Sequence, residues 1–292
     1  MKVGIVYPQI ELGGDPEAVR RIGLATEELG FNHLLMYDHV VGALHEGRDP
    51  KLWGPYTEQD PFHDPFVAFG YLAGITKKIE LVTGILILPQ RQTVLVAQQA
   101  ADVDLFSGER LRIGVGTGWN YVEYDALGQD FSKRGKRVDE QIGFLRRLWT
   151  EPLVTFEGEF DSIDRGNINP RPKRQIPIWI GGFSEPAFRR GGAVGDGFIF
   201  AGPLEGNGGA VGGVLDGWER VKHHLAENGR SVAGFGADYV MTGANSLDAA
   251  IDAIKRWEDA GGTHASVVTM GMGLSTTEAH LDYINEVKNR LR

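Results

Sequence analysis

The sequence contains no cysteine among its 292 residues. This absence excludes disulfide bonds, thiol catalysis and cysteine-ligated metals, and it fits the reducing cytoplasm, where we expect the protein to reside. No apolar stretch approaches the roughly 18 residues that a membrane-spanning helix needs. The first residues, MKVGIVYPQIELGG, also lack the apolar core and cleavage site of a signal peptide. We therefore expect neither a membrane span nor a leader.

The sequence also lacks an excess of positive charge. Lys and Arg number 30 against 39 Asp and Glu, which gives a formal net charge of −9. A negative net charge disfavours bulk binding to nucleic acid and to anionic membrane surfaces. The expected partner is therefore a small-molecule substrate, with no nucleic acid and no membrane.

What the chain does contain is one repeated pattern, an apolar strand followed by a helix. Strands are predicted over residues 3–7, 33–37, 81–88, 111–115, 178–180, 197–200, 235–241 and 265–269. Helices are predicted over residues 16–29, 65–75, 93–106, 136–149, 185–191, 215–227, 247–260 and 276–291, the first two capped by Asp15 and Asp64. Eight such pairs predict an α/β fold, a (β/α)8 TIM barrel forming a single domain over residues 1–292. An open doubly wound sheet is the competing fold.

Three connections are longer than such a barrel needs, at residues 38–63, 154–177 and 201–213. Long loops in compact domains are commonly lids or binding loops, and the first and third follow strand carboxyl ends, where barrel active sites lie. The second is predicted to form a small hairpin around Gly158. The third, with its run of glycines, is predicted to be mobile.

Two glycine-containing strand ends are candidates for binding a flat ligand. Gly84 interrupts an apolar strand, which usually marks a bulge or a close backbone approach by a ligand. The turn from Gly116 to Asn120 fails as a dinucleotide fingerprint, because Trp119 stands where the third glycine is required. We interpret it as a turn whose amides and indole ring approach a flat ligand. A purely structural tight turn is the alternative.

A third strand end is a candidate phosphate site. Gly181 and Gly182 precede the predicted helix start at Ser184. Free amides at a helix N-terminus bind phosphate, and missing side chains let the anion come close. The alternative is that Ser184 serves only as an N-cap.

Asp38 and His39 follow a further strand. A histidine there can exchange a proton near neutral pH, and the adjacent carboxylate could orient or charge it. A satisfied hydrogen-bonding pair is the alternative. The other histidines show no metal-ligand spacing with carboxylates, so no metal site is predicted.

These stretches also carry a family resemblance. YDHV, LVTGILILPQR, AQQAADVDLFSGERLRIGVGTGWN, ALGQDFSKRGKRVDEQ, NPRP and PIWIGG followed by GDGF closely resemble the luciferase-like flavin and deazaflavin oxidoreductases. The resemblance covers residues 2–200 strongly. It implies a (β/α)8 barrel that binds FMN or coenzyme F420, closest to the F420-dependent branch, and a homodimer.

By position, the resemblance implies roles for the candidate residues. His39 matches a histidine beside the reactive ring carbon and is the implied catalytic residue. A non-proline cis peptide is expected at Gly84-Ile85 or Ile85-Leu86. Ring, ribityl and phosphate contacts are implied for Asp38, Thr83, Gly84, Ile85, Leu86, Leu88, Thr117, Gly118, Trp119, Asn120, Gly181, Gly182, Phe183 and Ser184.

The sequence departs from the family's sugar-phosphate dehydrogenases. Trp119 replaces their acidic proton-transfer residue, and Ala201 and Leu204 replace the threonine and lysine that hold the substrate phosphate. A sugar phosphate is therefore not the expected substrate. An apolar or aromatic substrate fits better, beside a set of aromatic residues of which several could instead belong to the core. They are Trp53, Tyr56, Phe62, Phe66 and Trp119.

Two basic runs stand out in this acidic chain, at residues 132–137 and 171–174. Such runs are usually solvated surface. The alternative is that one of them contacts the polyanionic glutamyl tail of F420, which FMN lacks.

The sequence is thus interpreted as an F420-dependent oxidoreductase that transfers a hydride between the deazaflavin and a small organic substrate. An FMN-dependent monooxygenase that uses reduced flavin and oxygen is the first alternative. A catalytically inert flavin-binding protein is the second.

Overall fold

Eight parallel strands close into a barrel in the computed structural model, which describes residues 1–206, 212–244 and 246–291. Around the barrel the strands follow the order β1-β2-β3-β4-β7-β8-β9-β10. Their bounds are β1 Lys2–Val6, β2 His33–Met36, β3 Glu80–Ile87, β4 Leu111–Gly116, β7 Ile178–Gly181, β8 Gly197–Ala201, β9 Gly236–Val240 and β10 His264–Val267. The predicted (β/α)8 barrel is confirmed, every predicted strand lies within two residues of an observed one, and the doubly wound alternative is wrong.

The helices pack around the outside of the barrel, and the first two begin at the predicted capping residues. Asp15 accepts a hydrogen bond from the Glu17 amide at 2.9 Å, and Asp64 accepts one from the Val67 amide at 3.1 Å, as expected of N-caps. The bounds are α1 Pro16–Glu28, α2 Pro65–Ile75, α3 Thr93–Ser107, α4 Tyr121–Ala126, α5 Arg134–Thr150, α6 Glu185–Val194, α7 Val214–Glu227, α8 Leu247–Asp259 and α9 Thr277–Arg290.

The long connections are only partly as predicted. The hairpin in the second one is confirmed, with β5 Val154–Glu157 paired antiparallel to β6 Ser162–Gly166. The short helix α4, directly after the Gly116–Asn120 turn, was not predicted, because six residues are too few to show a helical period. The predicted mobility of the third connection, residues 201–213, stays a prediction, and its central residues 207–211 lie outside the described residues.

Strand β3 carries the irregularity that Gly84 predicted. Its register with β4 shifts between Thr83 and Leu86, and the Gly84-Ile85 peptide is cis, as expected. A Cβ at Gly84 would overlap the side chain of Leu35 in β2, so Leu35 fills the space that a side chain at position 84 would need. The predicted strand extends one residue too far, because a 3-10 turn begins at Leu88, next to Pro89.

Inward-facing side chains fill the barrel and close one end of it. Near the amino ends of the strands they form a buried polar layer, in which His33 Nε2 lies 2.7 Å from Ser266 Oγ and Ser266 donates to Asp238 at 2.9 Å. The Arg112 guanidinium lies 3.2 Å from Asp238 and stacks 4.0 Å above the Trp179 ring. Because this buried polar layer fills the barrel near the amino ends of the strands, a ligand can bind only at their carboxyl ends.

No helix among the described residues combines the length and the apolar character that crossing a membrane requires.

Candidate active site

The candidate residues meet at one end of the barrel. Because all eight strands are parallel, the segments that follow β2, β3, β4 and β7 emerge at the same rim. These segments contain Asp38 and His39, the Gly84–Leu88 stretch, the Gly116–Asn120 turn and the Gly181–Ser184 stretch.

Asp38 is bound to the arginine that follows β3. Its fully buried carboxylate accepts from Arg91 Nη2 at 2.6 Å, from Arg91 Nε at 3.1 Å and from the Ile87 amide at 2.9 Å. Arg91 also binds Asp64 at 2.9 Å. Burial lowers the pKa of Arg91, but the two carboxylates more than offset this and raise it above its ordinary value. Asp38 therefore holds the turn after β3, and the interpretation that it orients His39 is wrong.

The carboxylate beside His39 comes from α4. His39 Nδ1 lies 3.3 Å from both oxygens of Glu123, whose side chain is fully buried. The same carboxylate accepts from the amides of Val40 at 2.7 Å and Val41 at 3.1 Å. Glu123 thus holds both the imidazole ring and the backbone just after it.

Three aromatic rings surround the imidazole of His39. Their centroids lie at 4.8 Å for Phe62, 5.2 Å for Tyr56 and 5.6 Å for Trp119. Burial raises the pKa of Tyr56 to about 12, so its hydroxyl remains protonated at neutral pH. The first long connection, residues 38–63, therefore forms one wall of the site, and Trp119 completes it.

The other two aromatic candidates lie elsewhere. Phe66 is buried in the core between the helices and the barrel. Trp53 is 68% exposed, with the Lys51 ammonium 3.7 Å from its ring centroid. Among the described residues, the rings paired with His39 are those of Tyr56, Phe62 and Trp119, and neither Phe66 nor Trp53 is one of them.

The Gly116–Asn120 turn is held by packing and hydrogen bonds. Gly118 has φ +63°, and a Cβ there would lie 2.8 Å from Ile87. The Thr117 carbonyl accepts from the Tyr124 hydroxyl at 2.7 Å. Asn120 caps α4 by accepting from the Val122 amide at 3.0 Å and donates to the Val41 carbonyl at 3.1 Å. The turn thus has structural reasons for its residues, and only its indole faces His39.

Side chains of β3 divide between the two faces of the strand. Thr83, Leu86 and Leu88 are fully buried, and the two leucines belong to the core between barrel and helices. The Thr83 hydroxyl donates to the Gly114 carbonyl at 2.7 Å. Ile85 instead packs with the inward-facing cluster. At Leu86 and Leu88 only the backbone remains for a ligand to contact.

The end of β7 has features that fit an anion and features with a structural cause. A Cβ at Gly181 would lie 2.5 Å from Ile85, so this glycine makes room for a barrel side chain. Gly182 has φ +151°, which favours glycine. Ser184 precedes α6 without a side-chain capping bond, so its hydroxyl and the Glu185 amide remain for a ligand, whereas Pro186 has no N–H and the Ala187 amide donates to the Ser184 carbonyl at 2.9 Å. Phe183 is 62% exposed beside them.

The two basic runs lie at opposite ends of the barrel. Arg137 donates to the carbonyl of Arg91, just after β3, so residues 132–137 lie at the rim that carries the candidate site. Arg174 instead donates to the carbonyl of Leu111, the first residue of β4, at 2.8 Å and binds Asp104 at 2.7 Å. The hypothesis that residues 171–174 contact a glutamyl tail is therefore wrong.

Sequence reasoning missed Glu123 and Arg91. A signal for Glu123 was present, because Asn120 followed three residues later by Glu is the pattern of a capping box. Arg91 carried no comparable signal. Among the residues that the structure describes, no group of three or more His, Asp or Glu side chains is arranged to hold a metal ion.

Comparison with known proteins matches this sequence to a family. The family model described as luciferase-like monooxygenase matches residues 1–257. An uncharacterized protein of Mycobacterium tuberculosis is 32% identical over 252 residues, which cover 83% of this chain and 82% of that protein. An F420-dependent glucose-6-phosphate dehydrogenase of Nakamurella multipartita is 29% identical over 187 residues, 63% of this chain and 52% of that protein.

The fold has relatives among solved structures. Monooxygenase RslO1 from Streptomyces bottropensis superimposes with a TM-score of 0.80, covering 100% of this chain and 98% of that chain. The two sequences are 17% identical. This similarity shows a shared fold.

Proposed function

Because the chain belongs to the luciferase-like monooxygenase family, whose members are oxidoreductases or monooxygenases, we propose that it is an F420-dependent oxidoreductase. It transfers a hydride between the deazaflavin and a small apolar or aromatic substrate. The family contains enzymes that use F420 and enzymes that use FMN. F420 supplies hydride chemistry when bound, because its ring has carbon where a flavin has nitrogen.

The observation that carries the proposal is the setting of His39. It stands at the barrel rim with Nδ1 beside Glu123 and its ring enclosed by Tyr56, Phe62 and Trp119. None of the described residues hydrogen bonds to Nε2. This nitrogen is therefore available to exchange a proton with a substrate in a water-poor, aromatic enclosure.

The rim fits a flat cofactor with a phosphate arm. Gly116 ends β4 and Gly181 ends β7 at this rim, and Trp119 follows Gly116 in the turn after β4. The Glu185 amide at the start of α6 and the Ser184 hydroxyl suit a phosphate. Asp38 would support the cofactor site indirectly, by holding the turn after β3 in place. The remaining candidates would offer the cofactor backbone contacts or set the path of the chain around it. They are Leu86, Leu88, Thr117, Gly118 and Asn120.

The rim also fits the acidic tail of F420. In the run at residues 132–137, Lys136 is exposed and makes no ion pair with any residue that the structure describes. Arg134 is half-buried, lies 3.7 Å from the Phe131 ring centroid, donates to the Phe131 carbonyl through Nη1 at 2.7 Å and makes no ion pair among the described residues. Both cations can bind the carboxylates of the glutamyl tail of F420, and FMN has no such tail.

The substrate class follows from the enclosure around His39. Its walls are aromatic, and Trp119 replaces the carboxylate of the family's sugar-phosphate dehydrogenases. The rings favour a flat or apolar molecule over a phosphorylated sugar. Two alternatives would use the same binding site at the rim. One is an FMN-dependent monooxygenase, and the other is an inert flavin-binding protein.

A binding titration of F420 against FMN tests the proposal. We expect F420 to bind more tightly, and the variant Arg134→Gln/Lys136→Gln to weaken F420 and flatten its salt dependence without affecting a tailless deazaflavin. His39→Ala should then lower turnover by roughly 10²-fold or more while F420 affinity changes little. Tight FMN binding with no measurable F420 binding would promote the monooxygenase.

We also propose that the protein forms a homodimer through the outer faces of α2 and α3. These neighbouring helices expose large apolar side chains, with Val67 71%, Phe106 70% and Leu95 52% exposed. A helix that is apolar on both its barrel side and its outer side is normally covered. A second copy of this chain is the covering partner that we propose.

A further inference from the structure

Glu123 makes contacts to which the family resemblance assigned no role. It lies on α4, after the Gly116–Asn120 turn, and its fully buried carboxylate touches the segment after β2 at three points. Two of these contacts, to the Val40 and Val41 amides, hold the backbone. The third, to His39 Nδ1, acts on the imidazole itself.

The hydrogen-bond pattern determines which imidazole nitrogen carries the proton. The Oε1 atom of Glu123 accepts from two backbone amides, and a carboxylate offers acceptors only. Nδ1, 3.3 Å from both oxygens, can then bond to Glu123 only as a donor. In the neutral ring this leaves Nε2 without a proton, as an acceptor.

We infer that Glu123 is a positioning residue that selects the Nδ1–H tautomer of His39 and thereby makes Nε2 the proton acceptor of the site. The part of Glu123 in turnover rests on the proposed function. The tautomer itself does not, because it follows from contacts within this chain.

The substitution Glu123→Gln gives a sharp test. Val40 and Val41 still need an acceptor, so the amide oxygen of the new side chain takes the place of Oε1. Its NH2 group then faces Nδ1, which must accept, and the proton moves to Nε2. We therefore expect the variant to keep the loop in place and to invert the tautomer.

Glu27→Gln is the matched control. Glu27 also holds a connecting segment through backbone amides, those of Lys77 at 2.8 Å, Lys78 at 2.5 Å and Ile79 at 3.2 Å, but it forms no hydrogen bond or ion pair with a histidine in the part of the chain that the structure describes. Its substitution should disturb a loop to a similar extent and leave the tautomer of His39 unchanged.

The measurement is long-range 1H–15N correlation of the histidine rings of the full chain, at about pH 8.5, where an ordinary histidine is neutral. A His39→Gln variant assigns the signals. We expect Nδ1–H in the wild type and in Glu27→Gln, and Nε2–H in Glu123→Gln. If F420-dependent turnover is found, it should fall roughly 10²- to 10⁴-fold in Glu123→Gln with little change in KM, as for other histidines held in the wrong tautomer.

The outcomes separate the two proposals. Inversion in Glu123→Gln supports the inference even if no F420-dependent activity is ever detected, in which case only the proposed function fails. An Nε2–H signal for His39 in the wild type would overturn the inference, and this result does not depend on whether any variant folds. An unchanged tautomer in a folded Glu123→Gln variant would overturn it equally.

Discussion

Arg91→Leu is the substitution with the clearest expected effect on stability. The guanidinium is the only cation bound to the buried Asp38 carboxylate among the described residues, and Arg91 itself keeps just 12% of its side chain exposed. Its removal leaves Asp38 with a single donor, the Ile87 amide. Breaking a buried ion pair by deleting one partner typically costs about 3–5 kcal/mol. A loss of that size is a large part of the roughly 5–15 kcal/mol that stabilises a typical domain.

The buried charge, rather than lost packing, should cause most of this loss. Burial already raises the pKa of Asp38, and without Arg91 it should rise further. A carboxyl whose pKa is higher in the folded state binds protons preferentially there, so stability relative to the wild type should recover as the pH falls. Arg91→Leu/Asp38→Asn should likewise be more stable than Arg91→Leu alone.

Arg20→Leu is the control for arginine removal as such. Arg20 binds Glu17 through the same two nitrogens, Nε at 2.8 Å and Nη2 at 2.6 Å, but this pair is exposed. Water screens it, so its loss should have a far smaller effect. Urea denaturation followed by tryptophan fluorescence measures each variant. Equal destabilisation by the two substitutions, or no recovery in the double variant, would refute the reasoning.

Two further predictions concern stability in acid and self-association. Burial lowers the pKa of His264 to about 3 and that of His33 well below its ordinary value, so both stay neutral in the fold while the unfolded chain binds protons below about pH 6.5. The stability that these neutral rings contribute is therefore fully present above that pH and is lost as the pH falls; in urea titrations His264 alone should account for about 1 kcal/mol of the loss between pH 7.5 and 5.5. His264→Gln should lose that much less, and an undiminished loss would contradict the assignment. In sedimentation experiments we expect the wild type to be a dimer and the double variant Val67→Arg/Phe106→Arg to be a monomer. The control Val232→Arg, which lies outside α2 and α3, should remain dimeric. A monomeric wild type would contradict the proposed interface.

The sequence by itself determined the barrel and the end of it that carries the candidate site. Strand and helix periods are local, and a parallel barrel brings all strand carboxyl ends together whatever the details of packing. This is why Asp38, His39, Trp119 and Gly182 could be assigned to one rim without coordinates. The irregularity at Gly84 was readable for the same reason, since a glycine inside an apolar strand has few other causes.

Only the tertiary structure decided which side chains pair. Neighbours in sequence suggested that Asp38 serves His39, but successive side chains diverge at the end of a strand, and Asp38 turns to Arg91 while His39 turns to Glu123, 84 residues away. The same holds for the basic run ending at Arg174, which lies at the far end of the barrel because α5 runs antiparallel to the strands. Hydrogen-bond partners depend on how elements that are far apart in the sequence pack together, and local sequence patterns carry no information about that packing.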